Sequence, residues 1–125
     1  MKTILIVDDS RTSRQYHSAI VASAGYEVLT ANDGAAGLEK LFMHRCDLIL
    51  TDINMQGLDG YEFIRRVRAS AEHPAVPIII VSTEGQDDDK TKGYAAGANL
   101  YVVKPTDPTE LLGYVRMMLG DGRWL

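Results

Sequence analysis

The sequence has a single cysteine, Cys46, so no disulfide bond can form within the chain. A lone thiol is typical of a reducing compartment, and we expect Cys46 to be a half-buried packing residue rather than a reactive group. Long hydrophobic runs are also missing, since no stretch approaches the ~20 apolar residues that span a bilayer. The apolar run 4–7 is too short for a signal peptide and ends at two aspartates. These absences predict a cytoplasmic protein with no membrane segment.

Positive charge and histidine are scarce as well. The formal net charge of −4 argues against a nucleic-acid-binding face, which would show clustered Lys and Arg. The histidines His17, His44 and His73 fall on separate predicted elements, so we expect surface or boundary positions rather than a metal site. With 125 residues the chain fits one compact domain. We predict a domain over 1–120 and a short C-terminal tail over 121–125.

Five short, mostly apolar segments divide the sequence, and longer amphipathic segments lie between them. The short segments are 4–7, 27–31, 48–51, 78–81 and 100–103. Apolar runs of this length are typical of strands that are buried on both faces of a sheet. Strands that alternate with helices favour a parallel sheet covered on both sides, in one of a few doubly wound strand orders.

Residues at helix boundaries and on helix faces support this alternation. Ser10 is suited to cap the first helix, and Gly25 is suited to end it. In the second helix Leu38, Leu41 and Phe42 share one apolar face. The third helix carries three arginines that we expect on its solvent side: Arg65, Arg66 and Arg68.

Polar side chains follow four of the five predicted strands, and those after the first, third, fourth and fifth are Asp8, Asp9, Asp52, Ser82, Thr83, Glu84 and Lys104. The carboxyl ends of parallel strands lie along one edge of the sheet, where ligands bind. Carboxylates that converge there need a cation nearby, and Mg²⁺ suits them because it takes one or two carboxylates and keeps waters and phosphate oxygens. An aspartate can also serve as a nucleophile toward a phosphoryl group, whose charge a lysine and a hydroxyl would stabilise.

These residues resemble the receiver domains of response regulators in two-component signalling, in particular the CheY-like, chemotaxis type. The resemblance runs from about Thr3 to Leu119 and rests on five segments in order: 7–10, 51–55, 58–60, 81–82 and 103–105. It implies a flavodoxin-like, CheY-like α/β fold, with a five-stranded parallel sheet in the order 2-1-3-4-5 and five helices. It also implies a phosphoacceptor switch that assists its own phosphorylation and dephosphorylation, not an enzyme acting on separate substrates.

The resemblance implies a role for each strand-end residue. Asp52 is the expected phosphoacceptor and Lys104 is expected to bind the phosphoryl group. Ser82 matches the switch hydroxyl, whose movement lets the switch aromatic, Tyr101, turn inward. Pro105 is expected to follow a cis peptide bond. The expected ligands of Mg²⁺, for which Mn²⁺ is an alternative, are Asp9, Asp52, the backbone carbonyl of Asn54 and, through water, Asp8.

Residues beside the phosphoacceptor are expected to tune its chemistry. Thr83 stands where the chemotaxis type has a smaller residue, so we expect it to crowd Asp52 and slow phosphoryl exchange. Asn54 and Glu84 match the chemotaxis type and favour a short-lived phosphorylated state. Gln56 replaces a proline that many members carry, which predicts a less stiff loop after Asp52.

The partners implied by the resemblance are a sensor histidine kinase as donor and a downstream protein or phosphotransfer protein as receiver of the signal. The chain ends just after the fifth helix, so output is expected through a protein partner or by handing on the phosphoryl group. The switch of Ser82 and Tyr101 implies that a partner binds the face formed by the fourth helix, fifth strand and fifth helix. A phosphorelay intermediate and a pseudo-receiver that only binds partners are alternatives. A monomer is expected, with dimerisation on phosphorylation left open.

Two unrelated functions fit the motifs less well. A phosphatase of the haloacid-dehalogenase kind would place its two aspartates one residue apart, whereas Asp8 and Asp9 are adjacent. A flavin-binding module would need a glycine- and hydroxyl-rich phosphate loop after the first strand, and two aspartates there would repel phosphate.

Overall fold

Strands and helices alternate five times along residues 1–121, the part of the chain that the computed structural model describes. The strands are β1 (Thr3–Val7), β2 (Glu27–Ala31), β3 (Leu48–Thr51), β4 (Ile78–Ser82) and β5 (Leu100–Val103). The helices are α1 (Arg11–Ser23), α2 (Gly34–Met43), α3 (Gly60–Ala69), α4 (Asp87–Ala96) and α5 (Pro108–Leu119). Of the predicted tail, residues 122–125 lie outside the described part. No helix within the described part is long and apolar enough to cross a membrane.

All neighbouring strands pair in parallel, and their order is β2-β1-β3-β4-β5, which confirms the predicted fold. The three central strands, β1, β3 and β4, have almost no exposed residue because helices cover both faces of the sheet. Successive residues of each strand point to opposite faces of the sheet, so they pack into two separate hydrophobic cores. Leu5, Ile49 and Ile80 pack on the side of Phe63 from α3, whereas Ile6, Leu50 and Val81 pack on the opposite side with α5.

Four of the helices begin at a side chain that caps them. The side chains of Ser10, Asp33, Asp59 and Asp107 each accept a hydrogen bond from the backbone N–H three residues later. Such caps satisfy N–H groups that the first helical turn leaves without partners. Two of the four, Ser10 and Asp59, end the segments that lead from β1 into α1 and from β3 into α3, at the carboxyl edge of the sheet.

Three side chains lie in surroundings that differ from those predicted. Phe42 is 75% exposed, because successive helical residues are about 100° apart and Leu41 takes the buried position at the end of α2. Cys46 is only 6% exposed, and its thiol donates to the carbonyl of Leu48. Arg68 is half-buried, and its guanidinium donates to the carbonyls of Gly97, Pro74 and Val76 and to the side chain of Asn99. Its long side chain thus joins α3 to the segments that precede β4 and β5.

Candidate functional site

At the carboxyl edge of the sheet, two aspartates and a lysine come together. They follow β1, β3 and β5. Lys104, after β5, places its ammonium nitrogen 2.8 Å from Oδ2 of Asp52 and 2.9 Å from Oδ2 of Asp8. The three side chains are between 4% and 14% exposed. Burial disfavours the ammonium, but its hydrogen bonds with Asp52 and Asp8 outweigh that effect, so the pKa of Lys104 lies above its usual value. Lys104 is therefore a fixed positive charge between two carboxylates.

Asp8 is held in place by donors from the first turn of α1. Its Oδ1 accepts the backbone N–H of Ser10 at 2.9 Å, and its Oδ2 accepts the hydroxyl of Ser13 at 2.7 Å. The guanidinium of Arg14 donates to the backbone carbonyl of Asp8 at 2.7 Å. The bonds from Ser10 and Ser13 satisfy the carboxylate of Asp8, a residue that is only 3% exposed, and a buried charge requires such partners.

Asp52 directly follows β3, and its position depends on a very close backbone contact. Its N–H donates to the carbonyl of Val7, and its Oδ1 accepts the N–H of Ile53. Gly60, the first residue of α3, passes so near that a Cβ there would lie 2.2 Å from the backbone oxygen of Asp52. Only glycine fits at this point, so the backbone at the start of α3 packs directly against the backbone of Asp52, the candidate phosphoacceptor.

The oxygen donors at this edge suit Mg²⁺ better than a metal that needs a complete cage of side chains. Asp8 and Asp52 converge, Asp9 is exposed beside them, and the backbone of Asn54 follows two residues after Asp52. Within residues 1–121, no three His, Cys, Asp or Glu side chains lie close enough to hold a metal by themselves. Mg²⁺ does not require three, because it binds through one or two carboxylates and completes its shell with water and phosphate oxygens.

Ser82 and Tyr101 are connected through the backbone of one residue, Glu84. Ser82 is completely buried, and its hydroxyl oxygen accepts the N–H of Glu84 at 3.1 Å. Tyr101 is 8% exposed, and its hydroxyl donates to the carbonyl of Glu84. Burial raises the pKa of Tyr101 to about 12. The aromatic ring therefore already occupies an inward position in this structure, against Gly93 of α4.

The three predicted tuning residues, Asn54, Thr83 and Glu84, lie in the loops after β3 and β4. The amide of Asn54 donates to the carboxylate of Glu84 at 2.9 Å, which links the loops after β3 and β4. Thr83 is exposed and, with Lys104, lines an open cavity of about 440 Å³ next to α1. The cavity extends to Pro105, and the peptide bond between Lys104 and Pro105 is cis.

Three residues near the site were not predicted from the sequence to belong to it: Ser13, His17 and Thr106. His17, predicted to lie at the surface or at its boundary, is 4% exposed and sits between α1 and the segment after Lys104. The prediction was wrong because His17 shares the inward stripe of α1 with Ile20 and Val21, three and four residues later. That helical spacing was the available signal for its burial.

The chain is similar in sequence to known proteins of one family. The model of the response regulator receiver domain matches residues 4–116. Protein PilH of Pseudomonas aeruginosa is 39% identical over 119 residues, which cover 95% of this chain and 98% of PilH. The chain spans only about half of several longer curated relatives, at 52% or 53% of their length.

Solved structures are similar over almost the whole chain. The chemotaxis protein CheY4 of Vibrio cholerae has 39% sequence identity and a TM-score of 0.90, with 95% of this chain and 99% of that chain covered. The receiver domain of sensor histidine kinase PA1611 from Pseudomonas aeruginosa has 31% identity and a TM-score of 0.89, covering 95% of this chain and 98% of that domain. The PA1611 structure has a magnesium ion coordinated in its active site cleft.

Proposed function

Given that this chain belongs to the response regulator receiver family, we propose that it takes up a phosphoryl group on Asp52 and in that form changes which protein partner it binds. The observation that carries the proposal is the ammonium of Lys104, held within 2.9 Å of both Asp52 and Asp8. A lysine in this position can bind the oxygens of an incoming phosphoryl group while the carboxylate of Asp52 approaches the phosphorus. Surface ion pairs do not require such burial or convergence.

The proposed transfer forms one bond and breaks one. A carboxylate oxygen of Asp52 bonds to the phosphorus of the donor, and the bond between phosphorus and the donor's nitrogen breaks, leaving its electron pair on that nitrogen. Lys104 stabilises the negative charge on the transferring oxygens, and Asp8 keeps Lys104 in place. Mg²⁺ or Mn²⁺, when bound by Asp8, Asp9, Asp52 and the carbonyl of Asn54, would neutralise further charge on those oxygens.

Glu84 connects the proposed phosphorylation to the outer face of the domain. Phosphorylation adds about −1.5 to −2 charges, by analogy with other phosphorylated side chains. We expect the hydroxyl of Ser82, at the end of the neighbouring strand β4, to turn toward them. That turn breaks its contact with the N–H of Glu84, whose carbonyl holds Tyr101. Release of the loop would then shift the population of two arrangements of the face formed by α4, β5 and α5.

We further propose that the donor is the phosphohistidine of a histidine kinase and that the output is a protein partner. The exposed side chains of Tyr94 and Val103 on α4 and β5 give this partner apolar contacts on the face that Tyr101 supports. The joint presence of Asp52 and Lys104 disfavours a pseudo-receiver, which has no use for both. A cytoplasmic location and a boundary of the domain at residue 120 remain predictions.

Intact-mass measurement tests the proposed function directly. The protein is incubated with phosphoramidate, with Mg²⁺ in one sample and with excess chelator in the other. We expect a mass gain of one phosphoryl group in the Mg²⁺ sample alone. Folded protein that gains no phosphoryl group with phosphoramidate or with acetyl phosphate would contradict the proposal.

Replacing Thr83 with alanine is expected to speed phosphoryl exchange at Asp52. The Thr83 side chain borders the cavity beside Lys104, and a smaller side chain gives donor and water more room. We expect both phosphorylation and hydrolysis to become about threefold faster, which corresponds to ~0.7 kcal/mol of barrier. The rates are measured with phosphoramidate and by loss of the phosphorylated mass. Thr83→Ser is the matched control and should give intermediate rates, whereas unchanged rates in both variants would rule out crowding.

A further inference from the structure

A closed ring of contacts connects α1 to the proposed phosphoryl-binding lysine. The hydroxyl of Ser13 donates to Asp8, and the backbone carbonyl of Ser13 lies 2.8 Å from Nδ1 of His17. Nε2 of His17 lies 3.0 Å from the hydroxyl of Thr106, which is two residues after Lys104 in the chain. Lys104 completes the ring through its ammonium, which binds Asp8 at 2.9 Å.

The partners of His17 determine where its proton lies. A carbonyl oxygen only accepts hydrogen bonds, so the contact with Ser13 requires a proton on Nδ1. Burial disfavours the imidazolium form and lowers the pKa of His17. In the neutral ring Nε2 is then an acceptor, and the hydroxyl of Thr106 donates to it. Every bond in the ring consequently has a defined direction.

Thr106 is fixed by its backbone as well as by its side chain. The hydroxyl of Tyr16 donates to the backbone carbonyl of Thr106 at 2.9 Å, and Tyr16 is the neighbour of His17 on α1. The two rings also meet edge to face, with centroids 5.1 Å apart. Thr106 is 6% exposed, so water does not replace these partners. Two adjacent residues of α1 therefore hold the segment that carries Lys104.

We propose that His17 is a positioning residue, which together with Ser13 and Thr106 holds Lys104 and Asp8 in the geometry that phosphoryl transfer to Asp52 requires. This inference rests on the proposed function. It assigns a role to a buried polar group that packing alone does not explain, because an apolar side chain would fill the same stripe of α1 without needing two hydrogen-bond partners. Thr106 acts on Lys104 through the backbone, and Ser13 acts on Asp8 through a side-chain hydrogen bond. Lys104 is the member of the ring that binds Asp52.

A pair of variants at Thr106 separates the hydrogen bond from the shape of the side chain. Thr106→Val keeps the volume and removes the donor to His17, whereas Thr106→Ser keeps the donor. With phosphoramidate and saturating Mg²⁺, we expect Thr106→Val to be phosphorylated about three- to tenfold more slowly, the effect of one lost neutral hydrogen bond. Thr106→Ser is expected to stay within about twofold of the unaltered protein. Equal rates for the two variants would overturn the inference.

Two measurements that do not depend on activity complete the test. Nitrogen NMR of His17 is expected to show the proton on Nδ1, and the Nε2 signal should shift in Thr106→Val but not in Thr106→Ser. Mg²⁺ affinity by calorimetry should be unchanged in Thr106→Val and weakened in Ser13→Ala, which removes a donor to Asp8 but leaves the bond between His17 and Thr106. A proton on Nε2 in the unaltered protein would contradict the hydrogen-bond directions of the ring and overturn the inference.

The outcomes distinguish this inference from the proposed function. If the unaltered protein is phosphorylated and both Thr106 variants react at its rate, only the positioning role fails. If the unaltered protein is not phosphorylated, the proposed function fails first. Should Thr106→Val not fold, as judged by circular dichroism, the rate of Ser13→Ala decides, since an unchanged rate there overturns the role of the ring.

Discussion

Asp52→Asn is expected to abolish phosphoryl incorporation, with no mass gain from phosphoramidate in the presence of Mg²⁺. An amide is neutral at its oxygen and cannot form the acyl phosphate that a carboxylate forms. The fold should persist, because the asparagine oxygen can still accept one of the two hydrogen bonds that the separate carboxylate oxygens of Asp52 accept from the N–H of Ile53 and from Lys104. Lys104 also keeps its second carboxylate, Asp8. The loss would therefore be one of chemistry rather than of structure.

Asp88→Asn is the matched control for this experiment. Asp88 is an exposed aspartate in the first turn of α4, so the same loss of one negative charge occurs away from the carboxyl edge of the sheet. We expect this variant to gain one phosphoryl group like the unaltered protein. A phosphoryl group that still appears on Asp52→Asn would place the acceptor at another residue and refute the assignment of Asp52.

Gly60→Ala is expected to cause the largest loss of stability among glycine-to-alanine changes at the glycines that the structure describes. The new Cβ would lie 2.2 Å from the backbone oxygen of Asp52 and 2.6 Å from Cα of Ile53, and neither backbone atom belongs to a flexible side chain. Overpacking against rigid atoms costs about 3 kcal/mol. For a domain of this size, that corresponds to a fall of roughly 12 °C in the unfolding midpoint, which thermal denaturation measures.

Gly113→Ala is the matched control, and it is expected to raise the stability of the protein rather than lower it. Gly113 lies inside α5, and a Cβ there would meet nothing within 4 Å. Alanine in a helix interior is more stable than glycine by roughly 0.5–1 kcal/mol, so this variant should melt at a higher temperature. If Gly60→Ala melted no lower than the unaltered protein, the start of α3 would have enough freedom to move, and the bracing of Asp52 by α3 would be disproved.

The alternation of strands and helices was predictable because its determinants are local, whereas the strand order came from the resemblance to receiver domains. The strands β1, β3 and β4 are buried on both faces, which leaves continuous apolar runs that differ clearly from the helical pattern. A parallel sheet then brings the residues after each strand to one edge, whatever the details of packing. That geometric rule is why the convergence of Asp8, Asp52 and Lys104 followed from strand positions.

The long-range contacts around the site could not be predicted from the sequence in this way. The contact of His17 with Thr106 joins residues 89 positions apart, and the reach of Arg68 to Asn99 joins residues 31 apart. Such contacts depend on where two elements meet and on the rotamers that packing selects, neither of which leaves a periodic pattern in the sequence. The exposure of Phe42 depends in the same way on where α2 ends relative to the sheet.

The burial of the sole cysteine makes this protein a convenient background for site-specific labelling. Burial raises the pKa of the Cys46 thiol to about 11, so at neutral pH it stays protonated and shielded from alkylating reagents. A second cysteine placed at an exposed position, such as Tyr94→Cys on α4, would therefore be the only thiol to react in the folded state. A fluorophore attached there would follow movements of the α4 face in real time, without first removing the native cysteine.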